Sequence, residues 1–359
     1  MTEKKEQRNT EKESRVERQE KKSGRKTAIK VISITLCVLL VLCVGAVIYL
    51  YGSYKNISKN PLDVLIKDDE AHKTVNVDDE GNEHEYIRDD KIVNILLLGL
   101  DSSEERDEKH MGSRSDVMIV VSLDFEHKTI TMMSIPRDTR VNMNKLDYTT
   151  GEVKSRTINK INAAYAFGGG PKRFGDKNAV DCVKEFLSFD GKLDINIDYY
   201  ASIDLDGMPK LIDAVGGVDV ILDRDISELG KKGDKITITS ANVDTYTRKR
   251  KQDGGGVQGR DTRQQELLLA IAKKAKSQGA INMVTKLYPQ VTKYMNTNVT
   301  LDEAMALASF IQGFNMDTGI TQYRVKVSGQ MIDGIYYDIA DMDDLYKFAL
   351  DHFYKASEN

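Results

Sequence analysis

Acids and arginines recur at the ends of short apolar runs in the first half of the chain. Asp101 follows Val93-Asn-Ile-Leu-Leu-Leu-Gly-Leu, Arg114 and Asp116 precede Val117-Met-Ile-Val-Val, and Arg137-Asp138 follows Met133-Ser-Ile-Pro. Carboxylates are ligands for hard divalent cations and guanidinium forks match phosphate oxygens, so acids and arginines gathered in this way suit a metal together with a phosphate. The apolar runs are too short for helices and rich in β-branched residues, so each reads as a buried strand. Ligands of open α/β sheets bind outside strand ends, which is where these charges fall.

A second group, Arg248, Arg250, Arg260 and Arg263, crowds the segment from Tyr246 to Gln265, interrupted by Gly254-Gly-Gly. Asp261 with Gln264 three residues on reads as an N-terminal capping box, placing a helix over 262–277 with Leu267, Leu268, Ile271 and Ala275 on one face. Arg263 then sits at the start of that helix along its buried face, where the helix dipole opposes a cation. A phosphate there would reverse the sign, because backbone N–H groups and arginine forks both suit it. A solvated basic loop is the alternative for this segment.

The rest of the chain must position these groups. Residues 1–30 hold eleven Lys and Arg against six Glu and little to bury, a charged tail with no fold of its own. Residues 31–51 are apolar apart from Ser33 and Thr35, the length of a bilayer-crossing helix. A cleaved signal peptide competes, but its apolar core is shorter, at about 7–15 residues. Basic residues crowd the upstream flank, so the N-terminus is expected in the cytoplasm and the remainder outside. Residues 52–90 are acidic and read as an extracytoplasmic linker, with the folded domain spanning 91–359. With a surplus of +5 in residues 1–30 and a net charge of −4 for the whole, the chain beyond residue 30 carries −9, which argues against a nucleic-acid partner.

Within 91–359, strands are expected at 129–135, 199–203, 218–222 and 323–327. Helices are expected at 158–167, 179–189, 208–215, 301–314 and 342–354, in a recurring β-α-β order, with 224–245 a surface excursion. Cys37 and Cys43 lie in the apolar run, which leaves Cys182, on a core stripe, without a disulfide partner in the domain. The five histidines sit in charged or terminal segments, none beside a strand-end nucleophile, so Ser-His-Asp hydrolysis is unlike this chain.

Seven motifs fall in order: Asn94-Ile-Leu-Leu-Leu-Gly-Leu-Asp101, Arg114-Ser-Asp116, Ser134-Ile-Pro-Arg-Asp138, Lys160-Ile-Asn-Ala-Ala-Tyr165 with Gly168-Gly169, Leu211-Ile-Asp-Ala-Val-Gly-Gly217, Arg248-Lys-Arg250 and Arg260-Asp-Thr-Arg-Gln-Gln265. Together they resemble the LytR-CpsA-Psr family of membrane-anchored cell-wall glycopolymer ligases. The resemblance implies a three-layer α-β-α domain around a central mixed sheet, outside the membrane and behind a single transmembrane helix. It also implies transfer of a glycan phosphate, of the teichoic acid or capsular type, from a polyprenyl-pyrophosphate carrier to a peptidoglycan hydroxyl. Asp101 and Asp116 correspond to the family's Mg²⁺ ligands. Arg137, Arg248, Arg250, Arg260 and Arg263 correspond to its catalytic, pyrophosphate-binding arginines, and Gln264 joins the binding set. Relatives commonly carry an aspartate where this chain has Val257; Asp253 is the nearest acid. A non-catalytic lipid-pyrophosphate receptor and a polyprenyl-pyrophosphate-glycan hydrolase are the rival functions. Neither water as acceptor nor mere binding would change the arginine set, but binding without a metal gives Asp101 and Asp116 no task.

Overall fold

The computed structural model of the chain describes residues 61–66, 73–77, 83–101, 113–204, 206–248 and 256–357; at 73–77, 83, 248 and 256–261 the backbone alone is described. The elements in order are α1 (Leu62–Leu65), β1 (Lys73–Val77), β2 (Glu83–Arg88), β3 (Ile92–Leu100), β4 (Ser115–Asp124), β5 (Thr129–Ser134), β6 (Arg140–Leu146), β7 (Val153–Lys160), α2 (Ala163–Phe167), α3 (Gly175–Leu187), β8 (Tyr199–Ile203) and α4 (Gly207–Ala214). They continue as β9 (Val218–Ile221), β10 (Lys235–Ile238), α5 (Val243–Arg248), α6 (Gly256–Ser277), α7 (Ala280–Val291), β11 (Met295–Thr297), α8 (Leu301–Gly313), β12 (Ile320–Arg324), β13 (Val327–Ile332), β14 (Ile335–Ala340), α9 (Met342–Phe353) and β15 (Tyr354–Ala356).

A six-stranded sheet, ordered β11-β8-β3-β4-β5-β12, forms the centre. It is mixed: β3 runs antiparallel to β4 and parallel to β8, and β5 runs antiparallel to β4 and parallel to β12. Its strands are aliphatic on both sides because both faces are covered. On one face Leu96, Leu98, Leu100, Met118 and Val120 pack with Tyr165 of α2, Val183 and Leu187 of α3, and Leu345 and Ala349 of α9. On the other, Phe125 meets Phe310 of α8 with ring centroids 4.6 Å apart, and the Tyr199 hydroxyl shares its one proton between Glu303 Oε1 at 3.1 Å and the Leu65 carbonyl at 3.0 Å. Cys182 is packing, as expected; it is buried, and burial pushes its thiol up to about 12.

Several sequence expectations are corrected. The domain does not begin at Lys91. Leu65 is fully buried with its carbonyl accepting from the Tyr199 hydroxyl at 3.0 Å, β2 pairs with both β1 and β15, and Arg88 meets Asp194 at 2.8 Å. Acidic composition masked this segment, because strands pair through their main chains and need few apolar side chains to do so. The helix expected over 158–167 is shorter, since Ile158 to Lys160 complete β7. The excursion at 224–245 is instead the heart of a second core, where Ile226, Ile238, Val243 and Tyr246 pack with Ile212 of α4 and Leu267 of α6. There β9 pairs with β10 and stays outside the central sheet, so the β-α-β repetition does not extend to it. The expected transmembrane span and tail lie outside the described residues, among which no helix is long and apolar enough to cross a membrane.

Candidate active site

The register of β3 against β4 changes at its end: Gly99 lies opposite Val117 while Leu100 lies opposite Ser115, which leaves Asp116 as the extra residue of a β-bulge. A bulge bends its strand and re-aims the side chain it carries, and bulges are frequent beside functional sites. Gly99 is what lets the strands close here, because a Cβ in its place would stand 2.8 Å from Val117 Cγ2. The Asp101 N–H donates to the Arg114 carbonyl at 2.8 Å, so the first acid is held against the segment that introduces the second.

Asp116 Oδ2 accepts from the Arg137 guanidinium at 2.5 Å, and its Oδ1 accepts from Asn162 Nδ2 at 3.2 Å. Arg137 Nε also faces Asp138 Oδ2 at 3.5 Å, and Lys160 Nζ meets Asp138 Oδ1 at 2.9 Å. Acids and cations therefore alternate as Asp116, Arg137, Asp138 and Lys160. Burial opposes the charge on Arg137, and Asp116 and Asp138 outweigh it, so its affinity for the proton is raised further. Main-chain bonds fix the segments that carry these groups. The Ser115 N–H donates to the Asn162 carbonyl at 3.3 Å, Asn162 N–H to the Arg137 carbonyl at 3.3 Å, and Ile161 N–H to the Thr139 carbonyl at 2.8 Å. Arg137 and Asp116 keep side-chain exposures of 27% and 24%, enough to meet a ligand.

The donors fit a hard cation. Asp101 and Asp116 offer carboxylate oxygens, and Asn162 Oδ1, on the amide that bonds Asp116, is buried without a hydrogen-bond partner. Among the described residues no three His, Cys, Asp or Glu side chains gather, so a metal here would take two carboxylates and complete its shell with other oxygens. That is the manner of Mg²⁺.

The arginine segment is built differently. Helix α6 begins at Gly256, not at Thr262, and Arg263 is its eighth residue, well inside the helix. Asp261 and Gln264 are three apart, which makes them neighbours on a continuing helix as readily as partners in a cap, so their spacing does not locate a helix start. Arg263 is 1% exposed, and its Nε donates at 2.7 Å to the carbonyl of Tyr246 in the last turn of α5. A cation meeting an open helix C-terminus is favoured by the dipole that was expected to oppose it. Tyr246 in turn donates through its hydroxyl to Glu266 Oε2 at 2.9 Å. Burial raises the Glu266 carboxyl above its usual range, the Tyr246 hydrogen bond and Arg263 resist, and Asp223 adds to the rise.

Arg248 ends α5 and Arg260 lies in the second turn of α6, their side chains undescribed, and Arg250 lies outside the described residues. Gln264 is half-buried. Sequence reasoning gave no role to Lys160, Asn162 or Gln265, although each stands in a quoted motif, and counted Asp138 only among the strand-end charges. Gln265 is the link between the two groups: its Nε2 donates to Ser134 Oγ at 2.8 Å and to the Met132 carbonyl at 3.2 Å. It thereby bolts α6 to the strand that leads into Arg137.

Comparison with known proteins places this geometry in context. The chain is 32% identical over 323 residues, 89% of its own length and 95% of the relative's, to the polyisoprenyl-teichoic acid–peptidoglycan teichoic acid transferase TagU of Halalkalibacterium halodurans. Identity to the corresponding transferase TagV of Bacillus subtilis is 35% over 234 residues, 62% of this chain and 54% of that one. Among solved structures, B. subtilis TagV superposes with a TM-score of 0.56 at 29% identity, covering 73% of this chain and 97% of that one. TagT bound to LIIa-WTA superposes at 0.54 with 23% identity, over 73% and 91% of the two chains, a likeness of fold. The model of the LytR_cpsA_psr family matches residues 49–351, and the chain belongs to that family.

Proposed function

We propose that the protein is a phosphotransferase that moves a glycopolymer phosphate from a polyprenyl-pyrophosphate carrier to a peptidoglycan hydroxyl, at the strand-end cluster around Asp116. The observation that carries this reading is the alternation of Asp116, Arg137, Asp138 and Lys160 on a bulged strand end, in a chain alignable with nearly the whole of a named teichoic acid transferase. Phosphoryl transfer requires little covalent participation from the protein; it requires charge neutralised on several oxygens and the reacting atoms held in line. Arg137 neutralises phosphate oxygens from the sheet side, and Arg248, Arg250 and Arg260 from the α5–α6 side. Arg263 supports them by holding the end of α5, and Gln264 lies beside it. Asp138 keeps Arg137 and Lys160 oriented between turnovers. Asp101 and Asp116 hold Mg²⁺, which supplies further neutralisation of the pyrophosphate when bound.

In the cell we place residues 1–30 in the cytoplasm, 31–51 across the membrane, and the domain outside, where both substrates are. The test is incubation of the full chain in detergent with a short-chain polyprenyl-pyrophosphate glycan and peptidoglycan, with and without Mg²⁺. Glycan phosphate on peptidoglycan, dependent on Mg²⁺, is the expected result. Release of free glycan phosphate only would make the protein a hydrolase, and binding without turnover would make it a receptor.

A further inference from the structure

A cavity of about 300 Å³ opens at the C-terminal ends of β3 and β8, beginning at Leu100, the residue before Asp101. We infer that this cavity is the subsite for the acceptor, and that it takes a glycan strand bearing carboxylates, presenting a sugar hydroxyl to the phosphate held at Asp116. The inference rests on the transferase reading above.

The lining decides against the lipid tail. Lys172, Lys210 and Lys293 come to the cavity from three separate segments, with Asp204 and Asp206 also on its wall. Leu100, Tyr165, Pro171 and Met295 add apolar wall, but a polyprenyl chain would desolvate the charged groups set among them, whereas a hydroxylated, negatively charged ligand gains hydrogen bonds and charge pairing as well as apolar contact. Asp204 is already engaged, its Oδ1 accepting from the N–H groups of Asp206 and Gly207 at 3.1 and 2.8 Å. Lys172 and Lys293 are exposed, and neither meets a carboxylate within salt-bridge distance among the described residues. Lys172 moreover adopts φ +62°, a left-handed backbone that non-glycine residues seldom take. Strain of this kind is kept where a side chain has to be aimed. Lys210 Nζ lies 4.6 Å from the Tyr294 ring centroid, which joins a cation to an aromatic surface of the sort that sugars pack on. The wall is firm, because α4 starts so close to the Tyr294 carbonyl that a Cβ on Gly207 would lie 2.4 Å from it.

The position decides between acceptor and donor. Leu100 and Tyr165 lie on the sheet face packed by α2 and α3, and Ser202 pairs with Leu98 on that same face. Helix α6 packs on the opposite face, where Gln265 reaches Ser134. An in-line transfer brings the attacking oxygen and the leaving oxygen to opposite sides of phosphorus. A donor gripped from the α6 side thus leaves the cavity side for the attacking hydroxyl. In the step proposed, the sugar hydroxyl oxygen forms the new bond to phosphorus, the bond to the bridging pyrophosphate oxygen breaks, polyprenyl phosphate departs, and the hydroxyl proton passes to water.

The experiment uses the full chain in detergent and the double variant Lys172→Glu, Lys293→Glu, both positions exposed and remote from the core. The probes are a soluble disaccharide-peptide fragment of peptidoglycan and a short-chain polyprenyl-pyrophosphate glycan. The expected result is a tenfold or greater rise in the acceptor KM and in the dissociation constant of the peptidoglycan fragment, with donor affinity near wild type. Lys172→Arg, Lys293→Arg, which keeps the charge, should restore most of the acceptor affinity. Unchanged acceptor KM, or a loss confined to donor affinity, would overturn the assignment, the second result giving the cavity to the donor's own glycan. Wild-type protein that binds donor but never modifies peptidoglycan would instead overturn the transferase reading, and the subsite with it.

Discussion

The two cationic regions of the site solve opposite problems. At the strand ends, Arg137 is half-exposed and held between two carboxylates, Asp116 and Asp138, so its charge is compensated before any ligand arrives. In the α5–α6 segment, Arg263 is buried and bonded to a helix-terminal carbonyl, above a Tyr246–Glu266 pair. The first arrangement can exchange partners at little cost, the arginine taking a phosphate and the carboxylate a cation, since both remain near water. The second cannot release its arginine without leaving a buried carbonyl unsatisfied, which costs about 1–3 kcal/mol. One region is built to exchange partners, and the other to stay in place.

The comparison breaks most visibly at Asp116. Asp116→Ala removes a proposed Mg²⁺ ligand and one of the two acids on Arg137, so transfer should fall by about 100-fold or more, the scale of losing one charge-stabilising group at a reacting centre. The melting temperature should move little, because Asp116 lies at a partly exposed strand end; steady-state transfer and thermal unfolding on the same preparation read both.

Gly99→Ala tests the bulge. A Cβ 2.8 Å from Val117 forces the strands apart, with an expected stability loss of about 1–3 kcal/mol and an activity loss from displacing Asp101 and Asp116. Val117→Gly on top of it removes both clashing atoms, Cγ2 and Cβ, and should recover part of the stability and most of the activity. Denaturant unfolding of the two variants gives the answer, and no recovery would mean that the register shift has another cause.

Glu266→Gln is the smallest effect and sharpens the buried half. Because burial raises the Glu266 pKa in the fold, the native state binds a proton more readily than the unfolded chain does. That part of the stability is therefore greatest at low pH and declines as pH rises from the unfolded carboxylate value through the raised one. Glutamine keeps an acceptor for the Tyr246 hydroxyl but cannot ionise. The variant should lose this declining limb and melt no lower than wild type at neutral pH, as unfolding curves across the acid range would show.

Much of the strand-end half was legible in the sequence because strands announce themselves by composition and their ends by charge. Tyr199–Ile203 was read to the residue, and β3, β5 and α8 to within a residue or two. The bulge was not, since Gly99 could equally have been a turn residue, and a register shift depends on the partner strand. Nor were the contacts of Asp138, Lys160 and Asn162, which come from hairpin β6–β7 folding back onto the loop after β5. The hairpin β13–β14 did carry a signal: Asp333-Gly334, with φ of +51° and +78°, is a two-residue turn of the kind that joins antiparallel strands. The α6 half misled because its evidence was spacing along one helix, whereas Arg263 is explained by another helix that ends near it. Tertiary partners of this sort leave no periodicity to read.

The division of labour between the two arginines is tested most directly by Arg137→Lys and Arg263→Lys, each keeping the charge while losing the planar fork. Binding of a short-chain polyprenyl pyrophosphate in the presence of Mg²⁺ is measured beside the melting temperature without ligand. The account predicts that Arg137→Lys weakens binding about tenfold or more, roughly 1.4 kcal/mol, and melts near wild type. It predicts that Arg263→Lys melts lower, with the larger part of its affinity kept once folded. Wild-type affinity in Arg137→Lys, together with a collapse of affinity at unchanged melting temperature in Arg263→Lys, would contradict it and move the reacting centre to the buried arginine.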